Sequence, residues 1–558
     1  MLKSLTAVGE HSVNAAAQRR VTGDGAFDGL QSVPDRAEAT LGRITRIVGS
    51  TILVTGQTDY ANEAGATVGA LVKIRGERDV IGIVDSLELD GSSPPQCLAS
   101  IDLLGEIATA SDGGRAFQRG VSSPPALGAF VRLANDADLT AVYSRPTVPS
   151  VRVGTLSNND AQDAYVMVDE LLAKHFAVVG STGCGKSCTV TLILSEILAV
   201  EPNAHVILLD PHNEYSTAFG DLAEVVNVEN SRLPFWVLDL EEATRILVRG
   251  GTREEQEAQG IILKDALRQA RLNYTRTSDA STWVTVDTPV PFLVNDLRRN
   301  LLEAMGRLNK SDTASPYRRL EARLDSLIQD RRFSFMFGDG FEAEDDLSEL
   351  VGRLLRIPVA GKPITILDLS GVPSEIADVV VSVTSRLLFD FTLWSDPKLR
   401  PPILLACEEA HRYLPANEET GFAACTRAVS RIAREGRKYG LALALISQRP
   451  SELSAQALSQ CGTIFALRLG NDVDQRFVEG ALPDTGHTMI SALSSLPSQQ
   501  AVVFGEAVSL PMRVRFNDLP PERRPCSHSA QFSSAWKVDT AGVDFREDGI
   551  RRWRRHEA

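Results

Sequence analysis

Hydrophobic and polar positions change rhythm several times along the chain. From Leu41 to about Tyr143 they alternate in short bursts divided by turn residues. These bursts are Gly42–Val48, Ser50–Val54, Ala70–Ile74, Val80–Val84 and Ala129–Leu133. Short strands at this spacing predict a small antiparallel β-barrel. After a Pro- and Ser-containing linker (Ser144 to Ser150) and the segment Val151–Leu156, the pattern becomes continuous apolar runs. Ala177–Val179, Val206–Leu209, Ile364–Leu367, Ile403–Ala406 and Leu441–Ile446 each end in polar residues and are separated by helical stretches. Such runs predict an α/β core with a parallel sheet buried on both faces, whose ligands bind beyond the carboxyl ends of the strands. Asp210, Glu409 and Gln448 fall at those ends. Between Asp239 and Arg356 apolar residues recur at three- and four-residue steps, as in Ile261–Leu267 and Leu320–Ile328, which predicts a helical insertion. The expected division is a leader (1–38), a barrel (39–150), a core in two parts (151–238 and 357–516), a helical insertion (239–356) and a C-terminal arm (517–558).

The chemistry starts at His175–Ser187. Three apolar residues lead into Gly180-Ser181-Thr182-Gly183-Cys184-Gly185-Lys186-Ser187, followed by Cys188 and an apolar helical stretch from Thr189 to Val200. Strand, glycine-rich loop and helix form the setting in which this motif cradles phosphates, with backbone N–H groups and the helix N-terminus facing the anion. Residues 180–188 are the expected nucleotide-binding segment for ATP. Lys186 is expected to reach the β- and γ-phosphates and Ser187 to hold Mg2+.

Further along, Pro402–Cys407 delivers two adjacent carboxylates, Glu408 and Glu409. Because neighbouring strand residues point to opposite faces, the two are expected to differ in role, Glu408 toward Mg2+ and Glu409 toward the attacking water. The strand ending in Ser447-Gln448 puts an amide, Gln448, where it can sense the γ-phosphate or orient water. Between them lie Arg427, Arg431 and Arg434 on one helical face, then Arg437 and Lys438. They form either a solvated basic face or the source of an arginine finger that crosses a subunit boundary, a device contributing about 10^3- to 10^5-fold in rate. As finger, Arg437 is preferred to Arg434. The loop Asp210-Pro211-His212-Asn213-Glu214-Tyr215 either joins the site or faces a channel.

Composition changes this picture little. The chain has 558 residues, 43% hydrophobic and 23% charged, enough for several domains. No apolar run approaches the ~18 residues that cross a bilayer, and the first residues lack a signal-peptide core. Seven cysteines without metal-ligand spacing suit a reducing, cytoplasmic location. A net charge of −14 argues against a nucleic-acid-coated protein, yet a ring needs basic residues only on its pore lining.

Taken in order, these motifs resemble those of the HerA family of hexameric DNA translocases, within the HerA/FtsK group. Arg119-Gly120-Val121-Ser122-Ser123-Pro124-Pro125 with Gly128 is similar to its HAS barrel, and His175–Ser187 to its strand and phosphate loop. Asp210–Tyr215 resembles its next loop, with Asn213 where Gly is common. Glu408-Glu409-Ala410-His411 resembles its Walker B segment, in which Glu at the first position is a family trait. Gly436–Gly440 and Gln448-Arg449-Pro450 resemble its finger and sensor region. The resemblance implies a RecA-like core, a homohexamer that hydrolyses ATP between subunits, and double-stranded DNA drawn through its centre. It also implies a separate partner on the barrel face, a NurA-like nuclease in end processing or a nuclease or NADase effector in antiphage defence. A ring scaffold that gates such an effector without obligatory translocation is the alternative.

Overall fold

The computed structural model describes residues 40–555 apart from 58–65, 92–94, 110–114, 228, 276–278, 307–313, 338–344, 418–422, 482–488, 490–491, 527–531 and 538–544. The leader lies outside the described residues.

Seven strands make the first sheet: β1 (Thr40–Val48), β2 (Thr51–Gln57), β3 (Leu71–Ile74), β4 (Asp79–Leu89), β5 (Gln96–Thr109), β6 (Arg115–Arg119) and β7 (Phe130–Leu133). Their order is β2-β1-β7-β3-β4-β5-β6, and an added β2–β5 pairing closes six of them into an antiparallel barrel with β6 on its flank. Closure removes the free edges that an open sheet of this size would expose. The barrel predicted from the alternation is present. Its longest strand, β5, escaped that reading because it serves two cores. Cys97, Ala99, Ile101 and Leu103 fill the barrel. Leu104 and Ile107 pack outside it against Ala141 and Val142 of α1 (Asp136–Tyr143). Register shifts in β4 at Ile81/Gly82 and Val84/Ser86 accompany the change of face.

The second sheet has eleven strands in the order β12-β13-β11-β14-β15-β10-β16-β17-β18-β8-β9. Seven run parallel: β10 (Phe176–Val179), β11 (His205–Asp210), β12 (Ala223–Val226), β13 (Ile364–Asp368), β14 (Ile403–Cys407), β15 (Leu441–Ser447) and β16 (Thr463–Leu467). The edge beyond β16 is antiparallel: β17 (Gln500–Gly505), β18 (Met512–Phe516), β8 (Ser150–Leu156) and β9 (Asn159–Met167). Alternate residues of the parallel strands feed two separate cores. Phe176, Val178, Val206 and Leu208 join the core under α3 (Lys186–Val200), whereas Ala177, Val179, Ile207 and Leu209 join the other. Burial on both faces explains why these strands read as continuous apolar runs.

Every described element between Asp239 and Arg356 is helical: α4 (Leu240–Leu247), α5 (Arg253–Thr275), α6 (Val294–Gly306), α7 (Ser315–Gln329), α8 (Leu347–Leu355) and shorter turns. With α9 (Ser374–Trp394) and α10 (Ala423–Glu435), they cover the second face of the sheet. A last helix, α11 (Arg546–Arg555), lies near the chain's end.

Arg119 fastens the barrel to the large sheet. Its guanidinium donates to the carbonyl oxygens of Gly505, Val508 and Ser509 at 2.6–2.8 Å, all in the β17–β18 connection. Glu106, buried inside the same motif, accepts the backbone N–H groups of Ser122 and Ser123 at 2.6 and 3.0 Å. The Arg119–Ser123 sequence is therefore a junction.

Candidate nucleotide site

The phosphate loop leaves β10 in the middle of the parallel strands, between β15 and β16. Ser447 at the end of β15 accepts the Gly180 N–H, and Arg468 after β16 accepts both the N–H and the hydroxyl of Ser181. At Gly180 any side chain is excluded, since a Cβ would lie 2.7 Å from Cys184 Sγ and 2.8 Å from Leu467 Cβ. Gly185, at the start of α3, takes φ of 104°, a conformation open essentially to glycine. The loop thus turns sharply onto α3 and points the first-turn N–H groups outward. Lys186 is 8% exposed, and its ammonium donates to the Ser181 carbonyl at 3.2 Å, folded over the loop it belongs to. Cys184 is buried, and burial raises its thiol pKa, so it enters the site through its backbone.

Opposite this loop, the two glutamates lie just past the end of β14. Their side chains diverge because Glu409 takes φ of 51°, a left-handed turn, and not through the strand pleat expected from the sequence. Such a conformation on a non-glycine residue is strained and recurs at functional sites. Glu409 Oε1 accepts the Gln448 amide at 2.5 Å, and Gln448 Oε1 accepts the Thr182 hydroxyl at 2.6 Å. One amide thereby joins the phosphate loop to the carboxylate. His411 Nδ1 stands 3.3 Å from Glu409 Oε2, and His212 Nε2 stands 3.9 Å from Oε1.

Glu408 is 4% exposed, and its carboxylate accepts the hydroxyl of the fully buried Tyr215 at 2.6 Å. Burial pushes the Glu408 carboxyl up to about 8; the Tyr215 hydrogen bond opposes the rise and the Glu409 charge adds to it. The carboxylate that meets the Ser187 hydroxyl, at 2.5 Å, is Glu214. The loop Asp210–Tyr215 therefore belongs to the site. Its shape comes from Asp210, fully buried, which accepts the N–H groups of His212, Glu214 and Tyr215 at 3.0–3.3 Å. Asn213 adopts φ of 53°, which Asn tolerates better than most non-glycine residues.

The arginines are split. Arg427 pairs with Glu241, and Arg431 pairs with Asp390 at 3.6 Å while covering the Phe389 ring at 3.9 Å. Arg434 and Arg437 make no side-chain ion pair among the described residues. Both lie at the amino end of β15, whereas Gln448 follows its carboxyl end. A seven-residue strand spans about 23 Å, beyond an arginine's reach. Neither arginine reaches the phosphate loop of its own chain.

His175, first residue of the motif, is structural. It is buried with φ of 57°; its Nδ1 accepts the Leu443 N–H at 2.9 Å and its Nε2 donates to the Ala433 carbonyl at 3.1 Å. Both bonds require neutral imidazole in one tautomer, and burial holds its pKa below the usual value. The unfolded chain thus binds more protons than the folded one as pH falls through about 6.5, so acid removes stability. His175→Asn is expected to lower the melting temperature at pH 8 and to flatten its rise between pH 5 and 7, both followed by calorimetry. An unchanged slope would assign the acid sensitivity to other groups.

Sequence reasoning did not single out Gln499. It has φ of 64°, donates its N–H to the Cys184 carbonyl at 3.1 Å and sits against Gly185. Nothing in its neighbours signals a left-handed turn, and its phosphate-loop partners lie more than 300 positions away.

Comparison with known proteins places this arrangement. The family model of the central domain of helicase HerA matches residues 151–388. A probable DNA double-strand break repair helicase HerA of Methanocaldococcus jannaschii is 24% identical over 481 residues, 79% of this chain and 88% of that one. The DNA double-strand break repair helicase HerA of Pyrococcus furiosus is 27% identical over 421 residues, 70% of this chain and 72% of that one. Among solved structures, VirB4 of Thermoanaerobacter pseudethanolicus aligns with a TM-score of 0.47 and 16% identity, over 68% of this chain and 98% of that one. With its phosphate loop, closed barrel and largely parallel sheet, the protein is an ATPase whose central part is similar to that of the HerA helicases.

Proposed function

We propose that this chain is an ATP-driven translocase of double-stranded DNA, acting as a homohexamer with a partner nuclease or effector. The observation that carries the reading is the Thr182–Gln448–Glu409 chain of hydrogen bonds, which links the phosphate loop to a general-base carboxylate. Its DNA substrate is supported by relatives named as double-strand break repair helicases. Lys186 neutralises the β- and γ-phosphates, and Glu409 with Gln448 orients the attacking water. Mg2+ suits the oxygen donors Ser187, Glu214 and Glu408. Among the described residues no three-residue cluster forms a metal cage, and Mg2+ in such sites takes one or two protein ligands, the rest being phosphate and water. When bound, the ion supplies charge neutralisation across the β- and γ-phosphates. Burial disfavours the negative charge on Glu408, and a bound cation would offset that cost.

The placement of Arg434 and Arg437 favours a multimer. They are the arginines left without an ion pair in this stretch, and they lie too far from their own site, so a finger role requires a neighbouring copy. Among the described residues no helix is long and apolar enough to cross a membrane. The test is ATP turnover by the purified protein with and without linear double-stranded DNA. Stimulation of at least several-fold is expected. Turnover indifferent to DNA would reject translocation by this protein alone and favour an effector-gating ring.

A further inference from the structure

The site has a direction. Thr182, Gln448 and Glu409 mark the γ-phosphate end, and Ser187 with Glu214 marks the metal side. In phosphate loops the first helical turn after the Ser faces the α-phosphate, so Cys188 marks the nucleoside end. A stretch distant in sequence runs past that end. Phe516, last residue of β18, donates its N–H to the Gln499 carbonyl at 3.0 Å, and Gln499 donates to Cys184. The chain then continues through Leu519 and a short turn at Pro521–Arg523, and the Cys526 N–H donates to the Glu214 carbonyl at 3.0 Å. Residues 516–526 are thus tied to the phosphate loop at one end and to the metal-side loop at the other, flanking the first turn of α3.

Two polar side chains, one on this strap and one beside it, lack a use in the folded chain. The Arg524 Nε donates to the Leu519 carbonyl at 2.9 Å, which fixes the guanidinium plane, while its terminal nitrogens are free among the described residues. Two residues on, the Cys526 N–H meets the Glu214 carbonyl, and the Glu214 carboxylate meets the Ser187 hydroxyl, which holds Arg524 near the start of α3. The Gln499 backbone and Cγ lie 3.5–3.7 Å from where a Gly185 Cβ would stand, and its amide has no partner among the described residues.

We propose that Arg524 and Gln499 recognise the nucleoside half of the bound nucleotide. The Arg524 guanidinium stacks on the base, and the Gln499 amide bonds the ribose or base edge. The inference rests on the reading of residues 180–188 as a nucleotide site. A planar, weakly hydrated guanidinium anchored through one nitrogen suits stacking, a role that lysine does not fill. The carbonyl anchor sets its orientation before the ligand arrives, which lowers the ordering cost of binding.

The experiment is calorimetric titration of the full chain with a non-hydrolysable ATP analogue and, separately, with inorganic tripolyphosphate, both with Mg2+. Arg524→Ala is expected to weaken the ATP analogue about tenfold and leave tripolyphosphate within twofold. Arg524→Lys should recover less than half of that loss on a logarithmic scale, and Gln499→Ala should weaken the analogue about threefold. Equal weakening of both ligands would overturn the proposal, making Arg524 a phosphate-binding cation. Unchanged affinity for the analogue in Arg524→Ala would also overturn it. Failure of the unaltered protein to bind either ligand would instead reject the nucleotide site itself. Arg524 is exposed, so its replacement should leave the melting temperature unchanged.

Discussion

Replacing Glu409 by Gln is expected to lower ATP turnover about a thousandfold while nucleotide affinity changes only a few-fold. General bases in positioned hydrolytic sites contribute about 10^2- to 10^4-fold. The exchange keeps size and hydrogen-bonding capacity. Its amide oxygen can still accept from Gln448, which donates to Glu409 Oε1 at 2.5 Å, so the link to Thr182 survives. What is lost is the negative charge proposed to activate the attacking water. The left-handed backbone at Glu409 is not relieved by the exchange, so the side chain stays in place. Turnover would be followed by phosphate release and affinity by titration of a non-hydrolysable analogue. If turnover fell less than tenfold, Glu409 would not be the base, and His411, 3.3 Å from the same carboxylate, would be examined next.

Much of this engine was legible in the sequence because its parts announce themselves locally. The phosphate loop needs glycine at Gly180 and Gly185 for steric reasons, and the buried strands need apolar runs. Those demands leave a pattern readable without neighbours. The strands missed were those whose burial is shared between partners. β16 (Thr463–Leu467) is buried along its length but short, and the antiparallel edge strands β17 and β18 carry residues such as Gln500 and Arg513 that pair with each other at 3.1 Å. The loop Asp210–Tyr215 left two readings open because its function depends on Glu214 meeting Ser187 across the fold. Asn213 illustrates the opposite case. It stands where the resembled family commonly has Gly, and its φ of 53° shows what the position demands: a left-handed turn, which Asn can make.

The arginine row shows why spacing alone could not assign roles. Helical steps put Arg427, Arg431 and Arg434 on one face, and a shared face suggests a shared purpose. In the fold, Arg427 and Arg431 are drawn to carboxylates on α4 and α9, which the sequence places 186 and 41 positions away. Among the described residues, Arg434 and, beyond the helix, Arg437 remain uncommitted. The long-range partners select among chemically equivalent side chains.

One of those partners, Asp390, belongs to a network centred on Arg386, and cutting it is expected to give the largest loss of stability. Arg386 donates to Glu242 at 2.8 and 3.2 Å and to the Val237 carbonyl at 2.7 Å; Asp239 and Asp390 lie 3.5 and 3.9 Å away. Glu242 is 1% exposed and also accepts the Ser382 hydroxyl at 3.0 Å. Removing one partner of a buried pair costs about 3–5 kcal/mol, because the other charge stays desolvated. Arg386→Ala should reach that range, since it leaves the buried Glu242 beside Asp239 without the Arg386 cation, while Asp390 keeps Arg431. Glu242→Gln should cost less, about 1–3 kcal/mol, because Arg386 keeps two carboxylates and the Val237 carbonyl. Against a total of about 5–15 kcal/mol for a domain, the first change would move the urea midpoint far and the second modestly. The double replacement Glu242→Met with Arg386→Met should recover part of the loss, because neither charge is then stranded. The same network reaches α10 through Arg431 on Asp390, and α10 ends in the turn that carries Arg437. Arg386→Ala should therefore also reduce turnover at temperatures where the chain is still folded, by displacing Arg437, the finger proposed for a neighbouring copy. Equal urea midpoints for the unaltered protein and Arg386→Ala would mean that water screens the cluster in solution, and the link from α9 to the finger would fall with it.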